Sequence, residues 1–316
     1  MVLMLGLGHS ATRLTGPAAA PHPFTPAALF DAPGALGGHW DPSSTGGMFQ
    51  DIKGRVPVAG PGDPVALILD GAQGVMAAAG AGPLAQRLSG QGTELFAAPF
   101  STTRNFTDNG DGSFTCTGDG SGTSYAYKDG AGITVGDWYL VSYEVFGFLS
   151  GGFRARVGTS ADDTGIGPWQ VANGTVEVLL RGDGSGGNFW IEGTPATQGS
   201  VRNVSVRNVP GLHALQEGGD SFRPLLMQEP VSGAWYLSND LVDDRLTVPL
   251  PDLGAQATEW RADETGVVIS GGLTIAAGLR DLPVSQKLYA YGVVNRALTA
   301  VETAGLTAWL NSKRGV

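Results

Sequence analysis

The sequence predicts an all-β fold: short strands joined by tight turns, with an irregular arm at the N-terminal end and a helix at the other. Three observations carry that expectation. Gly holds 50 and Pro 19 of the 316 positions, more than a fifth of the chain against about 12% in average usage, and glycine supplies the positive φ values that tight turns need. Apolar and polar residues alternate over several stretches with the two-residue period of a strand whose faces differ. Turn signals recur at Asn109-Gly110-Asp111-Gly112, Asp129-Gly130, Gly151-Gly152 and Asp183-Gly184, a rhythm that suits sandwiches and barrels. With 42% hydrophobic and 15% charged residues, the chain is unsuited to a coiled coil and too apolar for disorder.

Taken in order, residues 1–38 read as an arm, because Gly16-Pro17, Pro21, Pro23, Pro26, Pro33-Gly34 and Gly37-Gly38 break any regular element within a few residues. Its apolar start, Met1–Gly8, is shorter than the roughly 18 residues of a membrane helix and lacks the basic flank of a signal peptide. It reads as a packing segment ordered by a neighbour. Thr25 before Pro26-Ala27-Ala28-Leu29-Phe30 starts one helical turn with proline in first position. Val65–Leu69, closed by Asp70-Gly71, is a continuous apolar run of the kind that makes a buried strand. Residues 71–92 read as a connector, with a helical turn over 83–88.

From 93 to 209 the pattern is β throughout. Tyr139, Val141, Tyr143 and Val145 alternate with Leu140, Ser142, Glu144 and Phe146, and the device repeats at Val176, Val178 and Leu180 and at Val204 and Val206. Of Trp138 and Tyr139, one must point inward; Trp138, Trp235 and Trp309 are assigned to core positions. Beyond 210, strands are expected at 234–237, 246–248, 266–270 and 287–291. The period then changes. Thr299 with Glu302 makes a capping box, Val301, Leu306, Trp309 and Leu310 form an apolar stripe, and Lys313, Arg314 and Gly315 suit a helix end.

The net charge is −10, from 19 basic and 29 acidic residues. No stripe of Lys and Arg is visible to neutralise phosphates, so nucleic acid is not an expected partner, and neither is membrane insertion. Cys116 stands alone, which excludes an internal disulfide and a cysteine-based zinc site.

Two sets of segments carry a resemblance. Trp40-Asp41-Pro42-Ser43, Met48-Phe49-Gln50-Asp51, Val56-Pro57-Val58 and Asp63–Asp70 are continued far downstream by Leu212–Gln216, Arg223-Pro224, Leu241–Leu246, Tyr289–Gly292, Arg296–Thr299 and Trp309-Leu310. Together they resemble a recurring module in tail-fibre and spike-like proteins of alphaproteobacterial phages and gene transfer agents. Gly71-Ala72 stand where that module usually carries Lys-Ser. The closing hairpin and helix are similar to the end of concanavalin-A-like or laminin-G jelly rolls. Between these halves, Asn105-Phe106 through Phe114, Ile133–Tyr139, Asn173-Gly174-Thr175 and Val201–Val206 look like the carbohydrate-binding-module-like jelly roll common in phage fibres.

The resemblance implies two β-sandwich (jelly-roll) domains, one inserted in the other. Residues 39–80 plus 210–316 would form the concanavalin/laminin-G-like sandwich, residues 81–209 the carbohydrate-binding-module-like one, and 1–38 the attachment arm. It further implies a virion structural protein: a head spike, tail fibre or decoration subunit exposed on the particle surface. Its partners would be capsid or tail proteins, further copies of itself in a symmetric homo-oligomer, and host surface polysaccharide. A glycan-processing depolymerase or esterase and a ligand-free structural spacer remain alternatives.

Candidate chemistry is sparse. The four histidines, His9, His22, His39 and His213, offer no nucleophile–base–orienter arrangement, so no catalytic residue is assigned and no enzymatic activity is expected. His213 reads as a structural, hydrogen-bonded residue. No cofactor is expected beyond a structural calcium ion: Asp108, Asn109 and Asp111 sit in a glycine-rich loop and offer oxygen ligands, as do Asp162-Asp163 and Asp243-Asp244. The same side chains also suit Asx turns that bond their own backbone. Aromatics carry the binding expectation, because flat rings cover the apolar C–H faces of sugars. Trp169, after Gly-Pro in a long loop, and Trp190, after Gly-Gly-Asn-Phe, are candidates for an exposed glycan site, together with Tyr125 and Tyr127.

Overall fold

The computed structural model describes residues 24–73, 76, 77, 84, 88, 89, 91–159, 164–184 and 187–316. His9, His22, Asp162 and Asp163, and the arm as far as residue 23, lie outside the described residues. A 3-10 turn at Pro26–Phe30, entered through extended Thr25, leads into β1 (Gly37–Trp40), β2 (Met48–Phe49) and β3 (Leu67–Ile68). The short pair β4 (Met76–Ala77) and β5 (Leu88–Ser89) follows. Of the helical turn expected over 83–88, Leu84 is helical as expected, whereas Leu88 has passed into a strand, where it gains burial and a ladder to Ala77.

Next come β6 (Thr102–Arg104), β7 (Phe106–Asp108), β8 (Phe114–Thr117), β9 (Ser124–Lys128), β10 (Trp138–Ser150), β11 (Phe153–Val157), β12 (Gly174–Arg181), β13 (Phe189–Gly193) and β14 (Gln198–Val209). The last strands are β15 (Ala214–Leu215), β16 (Leu225–Gln228), β17 (Trp235–Ser238), β18 (Thr247–Leu250), β19 (Gly254–Asp263), β20 (Gly266–Ile275), β21 (Gly278–Asp281) and β22 (Leu288–Val294). The chain closes on α1 (Ala300–Arg314).

Four antiparallel sheets pair into two sandwiches. In the outer one, the sheet β16-β17-β22-β19-β20, with β1 also on β22, faces the sheet β2-β3-β15-β18-β21. Trp40, Val65 and Ile68 share that interior with Leu226, Leu237, Val248, Tyr291 and Val293. Chain from before residue 70 is thus sealed by chain from beyond 212, and β3 pairs directly with β15. In the inserted sandwich, β12-β10-β14-β8-β7 faces β11-β13-β9-β6. From β8 to β14 successive strands alternate between those two sheets, the winding of a jelly roll. Its core holds Phe114, Tyr139, Tyr143, Phe153, Val178, Phe189 and Ile191.

A third apolar layer joins the two sandwiches. Phe49, Leu67, Leu69 and Leu215 point out of the back of the β2-β3-β15 sheet onto Trp138, Leu140, Leu179 and Val209 from the back of the β10 sheet. Both Trp138 and Tyr139 are consequently buried, on opposite faces of β10. The alternation requires one of the pair to point inward; here both do, because both faces of this sheet are covered, and Trp138 takes the core position assigned to it. Val204 is only partly buried, since Asn203 takes φ 53 beside a register shift between β10 and β14; a bulge of this kind re-aims the next side chain.

Helix α1 lies on the far side of the β16-β17-β22-β19-β20 sheet, with Leu306 and Leu310 against Trp260, Ala262, Tyr289 and Val294. Gly292 lets the Trp260 ring lie flat on the sheet: a Cβ there would come within 2.4 Å of its Cζ2. The expected capping box is present, and Gly315 ends the helix at φ 75. Val301 is 83% exposed and drops out of the apolar stripe; in the first turn it projects past the sheet. Trp235 and Trp309 are partly buried at the rims of their clusters. The layers therefore run α1, the β22 sheet, the β3 sheet, the β10 sheet and finally the β13 sheet, whose outer face no other layer of the described residues covers.

Candidate functional site

That open face is built by alternation. In β9, Ser124 and Ala126 are buried while Tyr125 and Tyr127 are half-buried; in β11, Phe153, Ala155 and Val157 are buried while Arg154 and Arg156 face out. Register then sets the neighbours. One row across the four strands reads Arg156, Trp190, Tyr127 and Thr102, and the next reads Arg154, Glu192, Tyr125 and Arg104.

The rings meet accordingly. Tyr127 stacks on Trp190 at 4.5 Å between centroids and 21° between planes, and Tyr125 meets the Trp190 edge at 5.6 Å. The indole is held in place by Nε1 donating to Gly158 O at 3.1 Å. Trp169, 41% exposed, lies at the margin of the face, where the Arg154 guanidinium covers its ring at 4.3 Å. Arg156 stands 5.8 Å over Trp190. Such contacts orient both partners and contribute roughly 0.5–1 kcal/mol each at exposed sites.

Structure thus brings Tyr125, Tyr127 and Trp190 into one aromatic cluster and sets Trp169 beside it. Trp190 sits in strand β13 and not in a loop, so its position is fixed by the sheet. Sequence reasoning missed Arg104, Arg154, Arg156 and Glu192. Glu192, 5% exposed, accepts from Arg154 Nε at 2.7 Å and from Arg156 Nη1 at 3.2 Å. The alternation of Phe153-Arg-Ala-Arg-Val157 carried the signal for the two arginines; their shared partner becomes visible only with the register.

The candidate calcium residues are arranged differently. Asp108 Oδ1 accepts from Gly110 N at 2.8 Å, and Asp111 Oδ1 accepts from Ser113 N at 2.9 Å and Ser113 Oγ at 2.6 Å. Asn109 donates to Ser113 Oγ and Thr115 Oγ1, both at 2.9 Å. The two aspartates thus make Asx turns, and the Ser113 hydroxyl holds the Asp111 carboxyl below its usual range. Among the described residues, the acids whose ligand atoms gather within 4.8 Å are Asp240, Asp243 and Asp244. Asp240 Oδ1 is taken up by the amides of Val242, Asp243 and Asp244, and Asp244 Oδ2 by that of Asp240.

No protein-family model matches the chain, and no curated protein matches it. Among solved structures it is similar to the N-terminal CBM22-1-CBM22-2 tandem domain from Paenibacillus barcinonensis Xyn10C, at 11% identity over 64% of this chain and 89% of that one, with a TM-score of 0.26. A likeness of that size transfers no residue, and the site rests on this chain's own geometry.

His213, expected to be structural, is fully buried and accepts a hydrogen bond from Asp70 N at 3.1 Å. His39 is also buried, beside Trp309 and Gly71. Neither reaches the open face of the inserted sandwich. Among the described residues, no helix is long and apolar enough to cross a membrane.

Proposed function

We propose that the protein binds carbohydrate through the outer face of the β11-β13-β9-β6 sheet. One observation carries the reading: cross-strand register stacks Tyr127 on Trp190, with Tyr125 against its edge, on a face that no other layer of the described residues covers. Half-exposed flat rings offer apolar area to sugar C–H faces at low entropic cost. Amide, hydroxyl and guanidinium groups around them, such as Thr102 and Arg104, can bond the hydroxyls.

The wider reading is a displayed, non-catalytic subunit of a phage-like particle, assembled as a symmetric homo-oligomer in which the arm 1–38 meets capsid or tail proteins. The sequence resemblance supports it. Repeated copies would raise a weak single-site affinity by about 10²–10⁴ through effective concentration. A glycan array followed by titration of the best polysaccharide tests the binding. Trp190→Ala should weaken it by about tenfold or more, that is about 1.4 kcal/mol, with an unchanged β signal in circular dichroism. Equal affinity of the variant and the parent would remove the reading, and release of new reducing ends from the bound polymer would replace adhesion with hydrolysis.

A further inference from the structure

We infer that the aromatic face selects polysaccharide bearing carboxylate groups over neutral polysaccharide; this rests on the reading that the face binds glycan. The chain as a whole is acidic, at −10, yet among the described residues the two rows of this face hold three arginines, Arg104, Arg154 and Arg156, against a single acid, Glu192. Glu192 touches both Arg154 and Arg156, so one carboxylate serves two guanidinium groups and positive charge is left over. Asp119, in the loop after β8, accepts from Ser121 N at 2.9 Å and is held below its usual range by that bond and in part by the Arg104 charge; with both acids counted, three guanidinium groups still outnumber two carboxylates.

Arg104 is the group best placed to receive an anion. It is exposed, and among the described residues its side chain makes a hydrogen bond only to Ser121 Oγ, a long one at 3.3 Å. That leaves the rest of its planar fork to take a carboxylate on two parallel N–H donors. Arg154 lies in the same row on the opposite edge strand, three strand spacings or about 14 Å away, with Tyr125 between. A polymer laid along this row would rest its rings on the aromatics and meet a cation at either end. An acidic chain repelled by the rest of the surface would be steered to this face.

The test uses the full chain and a panel of paired polymers: polygalacturonate, alginate and hyaluronan, each beside its carboxyl-reduced form, with dextran sulfate as a sulfate-bearing probe. Affinity is measured at 50 and 500 mM NaCl. At least one acidic polymer should bind about tenfold or more tightly than its reduced form and lose that advantage at high salt, as screened charge contacts do. Arg104→Gln, an exposed change with little bearing on folding, should remove about fivefold of the affinity for that acid. Reduced forms binding as well as their parents would overturn the charge selection while leaving glycan binding intact. Dextran sulfate binding in place of every carboxylate polymer would overturn the choice of anion. Failure of all polymers, neutral glycans of the array included, would instead strike the functional reading beneath.

Discussion

Asp70 shows how much one side chain can hold. It is fully buried, and its carboxylate accepts from three backbone amides: His39 at 2.9 Å, Ala72 at 2.8 Å and Leu212 at 2.9 Å. These amides belong to β1, to the segment leading into the inserted sandwich and to the segment returning from it, so the residue ties the neck between the two sandwiches. Asp70→Ala orphans three buried donors and should cost about 3 kcal/mol or more in chemical denaturation. Titration adds a second expectation. Burial holds His39 and His213 down at about 4, below their ordinary 6.5, so the unfolded chain takes up those protons first and stability falls as pH drops from 6.5 to 4. Burial pushes Asp70 up to about 6; there the folded chain takes the proton first, and acidification stabilises. Asp137 and Asp244, pushed up by burial as well, side with Asp70, and the two histidines supply the destabilising share of the balance between pH 6.5 and 4. Urea midpoints across that range read the balance, and His213→Asn, which keeps an acceptor for Asp70 N, should remove part of the destabilising share. The buried strand ending at Asp70 was readable from the apolar run before it; the clamp was not, because its donors lie up to 142 residues away.

Elements were legible where local chemistry decides them and obscure where a second layer does. Helix α1 is the clear case. Thr299 Oγ1 accepts from Glu302 N at 3.2 Å, and the Glu302 carboxylate accepts from Thr299 N at 2.8 Å. The Arg296 guanidinium beside Glu302 holds that carboxyl down at about 2, and Arg296 also donates to Leu29 O at 3.1 Å, fastening the arm's 3-10 turn to the helix. Thr299→Ala should therefore cost about 1 kcal/mol, seen as a lower thermal midpoint. Strand β10 is the opposite case. Its alternation was plain over Tyr139–Phe146, yet alternation says only that two faces differ, not that one is wet. Leu140 and Trp138 turn away from one core into another. The same limit hid the candidate site: Tyr125, Tyr127, Trp169 and Trp190 could each be picked out, but Trp190 finds Tyr127 through a register between strands 63 positions apart, which no local pattern encodes.

At the scale of the whole molecule, the layer between the sandwiches matters most. Leu179 is fully buried there, packed so closely that a Cβ on Gly54 would fall 2.7 Å from its Cδ1. Through this layer the two sandwiches should melt as one unit, and Leu179→Asp, which sets a charge in that layer, should split the calorimetric transition into two. A single sharp peak in the variant would mean that the neck alone couples them. Four sheets and a helix at about 10 Å per layer also place α1 and residue 24 some 40 Å from the aromatic face, at opposite poles. Tension applied between those poles would run the length of the stack and cross from one sandwich to the other along two backbone threads, side by side near Asp70 and Leu212. Parallel threads share a load, and the apolar layer beside them must slide before either can lengthen. A pull between the two ends would therefore be met by that layer as well as by the two threads.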